Sequence, residues 1–541
     1  MTFYLVTFCC AFAALGSFLF GFDSGVISSS IEQEAFLRQF GSPILSDTVA
    51  GVIISSYIGG AIVGSVLVPY ISDYYGRRMA LFIGGLLAAL GASLQGGAIN
   101  IAMLIAGRSI AGLAIGQMSA TIPIYCSEVA PPHIRGMLAS MQQWMIGLGF
   151  VVAVSNHHWD FVMIQLTGFK QWVGYGCSLQ DGAFAWRFPL SFQAAPSIIL
   201  CCGVWFLPES PRWLIEKGRE REGRSVLARL HLNKNATNTP LLEHELFQIQ
   251  ESLASEKQFA VRSWRQLLLS SRWRHRILLA CGLQAFTQCS GTNVISNYGP
   301  RLFKTLGLTT STTIMVMGLW GALALFWNTV FMLFIDKVGR RKLLIPSLLS
   351  MGAALCIEAT LARYIDFNDP KANPHALRAA IAMFFVFSFS FTALGMISWI
   401  YQSEIFPTSI RARGSSMATA TNWSVRLVFT QCSPIALTSM GTNYMYCFVA
   451  FNWAAMVIVW AFYPETAGRS LEGVEEAFTT QFIDEQSVRS FVVEDTPVAI
   501  RPRSQIRHKG LHPLSMHPTY DTVSIGSSRS GSEVEIGTKE G

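Results

Sequence analysis

The sequence predicts an all-α membrane protein: twelve transmembrane helices in two pseudo-symmetric six-helix halves, joined by a short cytoplasmic helical linker. Three observations carry this expectation. Of 541 residues, 51% are hydrophobic and 13% are charged. Soluble domains carry roughly 25% charged residues, so most of this chain is solvated by lipid. Twelve apolar stretches each approach the roughly 20 residues that cross a hydrocarbon core about 30 Å thick. Backbone groups in lipid must pair within their own segment, which makes these stretches helices. Finally, short motifs of the first half return in register in the second.

The first stretch, 4–29, is too long for a signal-peptide core and has no basic segment ahead of it, so it reads as a retained span. It contains FGFDSGVIS (20–28) and with it a single charged residue, Asp23. Spans follow near 49–70, 79–99, 101–125, 137–154 and 188–207. The fourth holds Arg108, the only basic residue between Arg78 and His133. Residues 212–275, rich in Arg, Lys, Glu and Gln, form the linker. The second half supplies 276–298, 312–335, 343–363, 378–402, 414–437 and 443–463. After Tyr463 the chain turns polar and Ser-rich. A short amphipathic piece is expected near Leu471–Phe478, then a disordered tail. The domain boundaries are therefore 1–211, 212–275, 276–463 and 464–541.

The net charge of +7 is unevenly placed. Arg77, Arg78, Arg135, Arg212, Lys217–Arg224, Arg340–Lys342, Arg411 and Arg413 lie on or beside connections of one parity. The positive-inside rule makes that side cytoplasmic, together with both termini and the linker. The Asn235-Ala-Thr237 sequon then goes unglycosylated. Eleven scattered cysteines with no C-x-x-C argue against a disulfide framework or a metal site. No cofactor and no nucleic-acid partner are expected.

DYYGRR (73–78) is echoed by DKVGRR (336–341), EVAPPHIRG (128–136) by EIFPTSIRARG (404–414), and PESPRWL (208–214) by PETAGRSL (464–471). Each pair holds the same place in its half, and such internal repeats mark carriers whose halves rock around a midplane site. The motifs place Asp73, Arg77, Arg78, Glu128 and Arg135 against Asp336, Arg340, Arg341, Glu404 and Arg411. Opposite charges at neighbouring helix ends can form a network that latches the halves and biases a two-state equilibrium.

Over about residues 15–480 these motifs resemble the sugar porter family of the major facilitator superfamily. The resemblance implies a proton-coupled pair, an Asp in the first helix against an Arg of the fourth, at Asp23 and Arg108. The physical logic is that burial raises a carboxyl pKa and a nearby Arg lowers it, so a pair that opens and closes takes up and releases a proton. The resemblance also implies a sugar site at Gln143, Thr287, Gln288, Asn293, Trp399, Asn422 and Trp423. Amides suit hydroxyls because they donate and accept together. The chain departs from the family pattern at four places: Thr287 stands for a first glutamine, Asn297 for a tyrosine, Ala324 for an asparagine with Trp327 and Asn328 one turn on, and Met396 for a proline. Missing amides weaken the case for an ordinary hexose.

VSNHHWDFVMIQLTGFKQ (154–171) interrupts what the family pattern runs directly into WVGYG (172–176). Its codons can spell donor, branch and acceptor sites, so it reads as an in-frame retained intron, with a genuine extracellular extension as the other reading. The expected function is a non-enzymatic, monomeric plasma-membrane carrier that moves a sugar by alternating access in symport with protons. Two alternatives stay open. One is a carrier of a polyol, a quinate-like acid or a specialised metabolite; the other is a non-transporting nutrient sensor.

Overall fold

The computed structural model describes residues 2–31, 34–41, 47–154, 182–231, 240–258, 263–296, 310–363 and 374–467, all within one unit, Met1–Ile483. Residues 155–171 of the suspected insertion, the sequon, Asn297–Tyr298, Leu471–Phe478 and the tail after Ala467 lie outside the described residues.

The chain is helical throughout these segments. The first half runs α1 (Thr2–Ala13), α2 (Leu15–Ile31), α3 (Glu34–Phe40), α4 (Asp47–Tyr75), α5 (Arg77–Gly96), α6 (Ile101–Val129), α7 (Arg135–Val154), α8 (Phe184–Phe192) and α9 (Ala194–Gly203). Four linker helices follow: α10 (Pro211–Glu216), α11 (Glu220–His231), α12 (Pro240–Gln258) and α13 (Trp264–Leu269). The second half is α14 (Ser271–Cys289), α15 (Thr310–Val338), α16 (Arg340–Ala362), α17 (Pro374–Glu404), α18 (Thr408–Met440) and α19 (Met445–Phe462).

Among the described residues ten runs are long and apolar enough to cross a membrane. The last, Thr408–Phe462, is two helices, α18 and α19. The remaining span is α14, whose composition is diluted by Arg272, Arg274 and Arg276 at its start and by Gln284, Thr287 and Gln288, which it turns inward. These make the twelve expected spans.

Three of the spans are broken where the apolar pattern runs on. The first is split at Ala14 and the sixth between α8 and α9. Pro196, early in α9, has no N–H to give the carbonyl of Phe192, which removes one helical hydrogen bond across the interruption at Gln193. The seventh stops at Ser290 and Gly291, with φ +98° at the glycine, and resumes over 292–296.

Large apolar side chains such as Leu90, Ile199, Leu349, Ile435 and Val457 face outward, as lipid requires. Many polar residues of the spans, such as Ser65, Gln117, Gln284 and Asn422, are buried inside. α4 and α6 pack backbone to backbone. A Cβ on Gly112 would lie 2.0 Å from the Tyr57 carbonyl oxygen, and one on Gly116 2.0 Å from that of Ala61. Small residues four apart allow such contact between membrane helices. The crossing fixes Tyr57 and Arg108 against each other, with the guanidinium 4.6 Å from the ring centroid.

Candidate functional site

A cavity of about 150 Å³ opens between the halves, an order of magnitude above the roughly 10–15 Å³ that one water occupies. α2 supplies Phe20 and Ser24, and α7 supplies Gln143, Ile146 and Phe150. The broken seventh span supplies Thr287, Gln288, Thr292, Asn293 and Ser296; α15, α17 and α18 complete the wall. The break at Gly291 is what turns Thr292, Asn293 and Ser296 toward the same space as Thr287 and Gln288.

Six of the seven residues expected at the site line this cavity: Gln143, Thr287, Gln288, Asn293, Trp399 and Asn422. Their amides form a chain. Asn293 donates to Gln288, Gln288 Nε2 donates to Asn422 Oδ1 at 3.0 Å, and Asn422 Nδ2 donates to Gln284 Oε1 at 2.6 Å. Gln284 Nε2 continues to Gln402 Oε1 at 2.9 Å. The indole of Trp399 donates to Gln143 Oε1 at 3.1 Å, a hydrogen bond between the two halves at the cavity wall. Thr287 spends its hydroxyl proton on the Leu283 carbonyl, 2.9 Å away.

Trp423 is the exception. Its buried indole points into the first half, donating to Ser119 Oγ at 3.4 Å and packing, tilted, 4.8 Å from Phe20. It stands behind the cavity and backs Phe20. Ala324 and Asn328 both line the wall, because residues four apart share a helix face. Trp327 turns away onto Phe389 at 4.8 Å. Sequence reasoning missed Gln284 and Gln402, which extend the amide chain behind the wall and whose register is visible only once the amides meet, and Arg426, which lines the wall.

Asp23 and Arg108 meet. Arg108 Nη1 is 2.7 Å from each Asp23 oxygen and 3.5 Å from Gln95 Oε1. Both side chains are buried, and Ser24, the neighbour of Asp23, reaches the cavity. Removing one member of a buried pair leaves the other uncompensated, at a cost of about 3–5 kcal/mol.

At the basic end of the bundle Glu128 accepts from Arg77 Nε at 2.9 Å and, across the halves, from Arg411 Nη1 at 2.9 Å. Arg340 Nη2 donates to Asp336 and Glu404, each at 2.9 Å. Asp336 also caps α7 in the opposite half, accepting from the backbone N–H groups of Gly136 (3.0 Å) and Met137 (2.7 Å). A carboxylate at a helix N-terminus is favoured by both hydrogen bonding and the helix dipole. Asp73 reaches Arg77 at 3.5 Å, and Arg135 is buried. Arg78 and Arg341 stand outside the ionic network. Arg78 lies over Trp205 at 4.9 Å, and Arg341 donates to the Trp460 carbonyl.

The third repeat pair acquires a role here. Glu209 accepts from the backbone N–H of Arg77 at 3.0 Å and Arg78 at 3.2 Å. Glu465 does the same for Arg340 at 2.8 Å and Arg341 at 3.0 Å. Each half thus caps the helix after its GRR turn with the glutamate that ends its sixth span. Nearby, Glu216 is half-buried beside Asp73 and Glu128; burial pushes its carboxyl up to about 7, against the pull of Arg77.

A family model described as "Sugar (and other) transporter" matches residues 9–478. The chain is similar to the MFS-type transporter criB of Aspergillus cristatus, with 33% identity over 91% of this chain and 97% of that one. It is also similar to a high-affinity glucose transporter of Kluyveromyces lactis, with 30% identity over 86% of this chain and 83% of the relative. Its fold resembles that of the MFS proton:xylose symporter XylE solved with 6-bromo-6-deoxy-D-glucose, with a TM-score of 0.73 at 24% identity, covering 88% of this chain and all of that one.

Proposed function

The chain belongs to the sugar (and other) transporter family, and from that premise we propose that it carries a sugar-sized, hydroxylated solute across the plasma membrane in symport with protons. The observation that carries this reading is the cavity between the halves, walled by an amide chain and by Phe20, Phe150, Trp320 and Trp399. Amides match ring hydroxyls and aromatic faces match C–H surfaces, the composition of a small-solute pocket.

In this reading 1–211 and 276–463 are the two rocking halves, 212–275 links them and 464–541 is a tail. The basic end is cytoplasmic, with both termini there. The ionic seam of Glu128, Arg411, Asp336 and Arg340 holds that end shut while the solute enters from the other side. Protonation of Asp23 weakens its grip on Arg108. That frees α2 and α6 to shift with the reorienting halves, and solute contact reaches the pair through Ser24. The protein works as a monomer.

The test is uptake by the full-length protein in proteoliposomes with an inside-alkaline pH gradient, using radiolabelled D-glucose and D-xylose with and without an uncoupler. Accumulation above equilibrium, abolished by the uncoupler, is expected. Asp23→Asn should lose uphill accumulation by about tenfold or more while keeping solute exchange, which also reports that the variant is folded. Uptake indifferent to the gradient and to Asp23→Asn overturns proton coupling.

A further inference from the structure

Among the described residues that line the cavity, Arg426 is the one that carries a charge. It lies one turn beyond Asn422 on α18, and residues four apart share a helix face about 5–6 Å from Cβ to Cβ. Its guanidinium rests on two rings, 5.4 Å from the centroid of Phe20 and 5.3 Å from that of Trp423. Those rings touch each other, tilted, with centroids 4.8 Å apart, so the aromatic shelf holds the fork in place. Arg426 Nη2 donates to Ser24 Oγ at 3.3 Å, while that hydroxyl donates to the Phe20 carbonyl at 2.9 Å. Arg426 Nε is buried with no partner.

A guanidinium presents five N–H donors, and among the described residues Ser24 Oγ is the only acceptor that Arg426 meets. The nearby carboxylate, Asp23, has both oxygens taken by Arg108 at 2.7 Å. A cation placed in an apolar wall without a counter-ion is costly, and the planar fork is built for bidentate carboxylate binding. The rest of the wall is neutral. We propose that the solute is a hydroxylated organic acid carrying one carboxylate. Its ring hydroxyls meet the Gln288–Asn422 amides, and its carboxylate lies one turn along α18 on Arg426. This inference rests on reading the cavity as the solute site, and it changes the expected cargo from a neutral sugar to a monoanion. One arginine balances one negative charge, which favours a carboxylate over a phosphate dianion.

The experiment is equilibrium binding to the purified full-length chain by calorimetry at pH 7. It uses two matched pairs of probes, D-glucose with D-glucuronate and myo-inositol with quinate, plus glucose 6-phosphate. At least one acid should bind about tenfold or more tighter than its neutral partner, the effect expected of a hydrogen-bonded charge. In Arg426→Gln that preference should fall to within about twofold; Arg426→Lys should keep part of it. Neutral solutes that bind as tightly as the acids overturn the inference and leave the transport reading standing, as does an acid preference that survives Arg426→Gln. Glucose 6-phosphate binding tighter than both acids also overturns it. If none of the probes binds, the reading of the cavity as a solute site falls with it.

Discussion

Asp23 and Arg426 stand on helices of opposite halves, and each is the only charged residue in its apolar stretch, 4–29 and 414–437. An intramembrane charge is a functional signal by default, and for Asp23 the partner is legible too, because Arg108 is alone in its span. Arg426 bears the same signal, but motif register draws attention to the neighbouring Asn422–Trp423 pair. Only the packing shows that Trp423 turns behind the wall while Arg426 faces into it. Glu216 is a residue whose chemistry no sequence pattern announces. Burial lifts its carboxyl from the usual 4.5 to about 7. The folded chain therefore holds a proton there that the unfolded chain has released, and the contribution of Glu216 to stability falls as pH rises from about 4.5 through 7. The melting temperature of the wild type minus that of Glu216→Gln should accordingly drop between pH 5 and pH 8. Equal offsets at both pH values would refute this.

Helix beginnings decide how the basic end is built. Gly76 has φ 97° and ψ 166°, and Gly339 has φ 102° and ψ 155°, a region that essentially only glycine occupies. A Cβ would also meet the capping carboxylate, at 2.4 Å from Glu209 Oε2 in the first half and 2.7 Å from Glu465 Oε2 in the second. Gly76→Ala and Gly339→Ala should each lower stability by about 1–3 kcal/mol through strain and a displaced cap, read by thermal unfolding in detergent. Unchanged melting of both variants would show that the turns relax freely. The repeated PES and PET segments are plain in the sequence, yet their role is not. A glutamate and the helix it caps are more than a hundred residues apart, and no local pattern links them. The helices themselves are legible from apolar length. The breaks at Ala14, Gln193 and Gly291 are less so, because hydropathy averages over the few residues where a helix is interrupted.

At the scale of the molecule, specific polar contacts among the described residues join the halves on the basic side, among them Glu128 with Arg411, and Asp336 with the start of α7. Asp336→Ala removes the second, and charge-assisted hydrogen bonds of this kind are strong enough to raise an open population roughly tenfold. Hydrogen–deuterium exchange should then quicken together at the start of α7 and at the start of α18. Faster exchange confined to Gly136 and Met137 would mean a lost cap with no opening. By itself the sequence determined that this chain spans a membrane about twelve times, that its halves repeat, and that Asp23 and Arg108 lie within lipid. Hydrophobic length, motif recurrence and isolated charge are properties of a one-dimensional string. The tertiary structure alone decided which amides join into one chain, that Asp336 caps a helix of the other half, and that Arg426 is the charge in the cavity wall. Those relations depend on side-chain direction and on contacts between segments hundreds of residues apart, which form only when the helices pack.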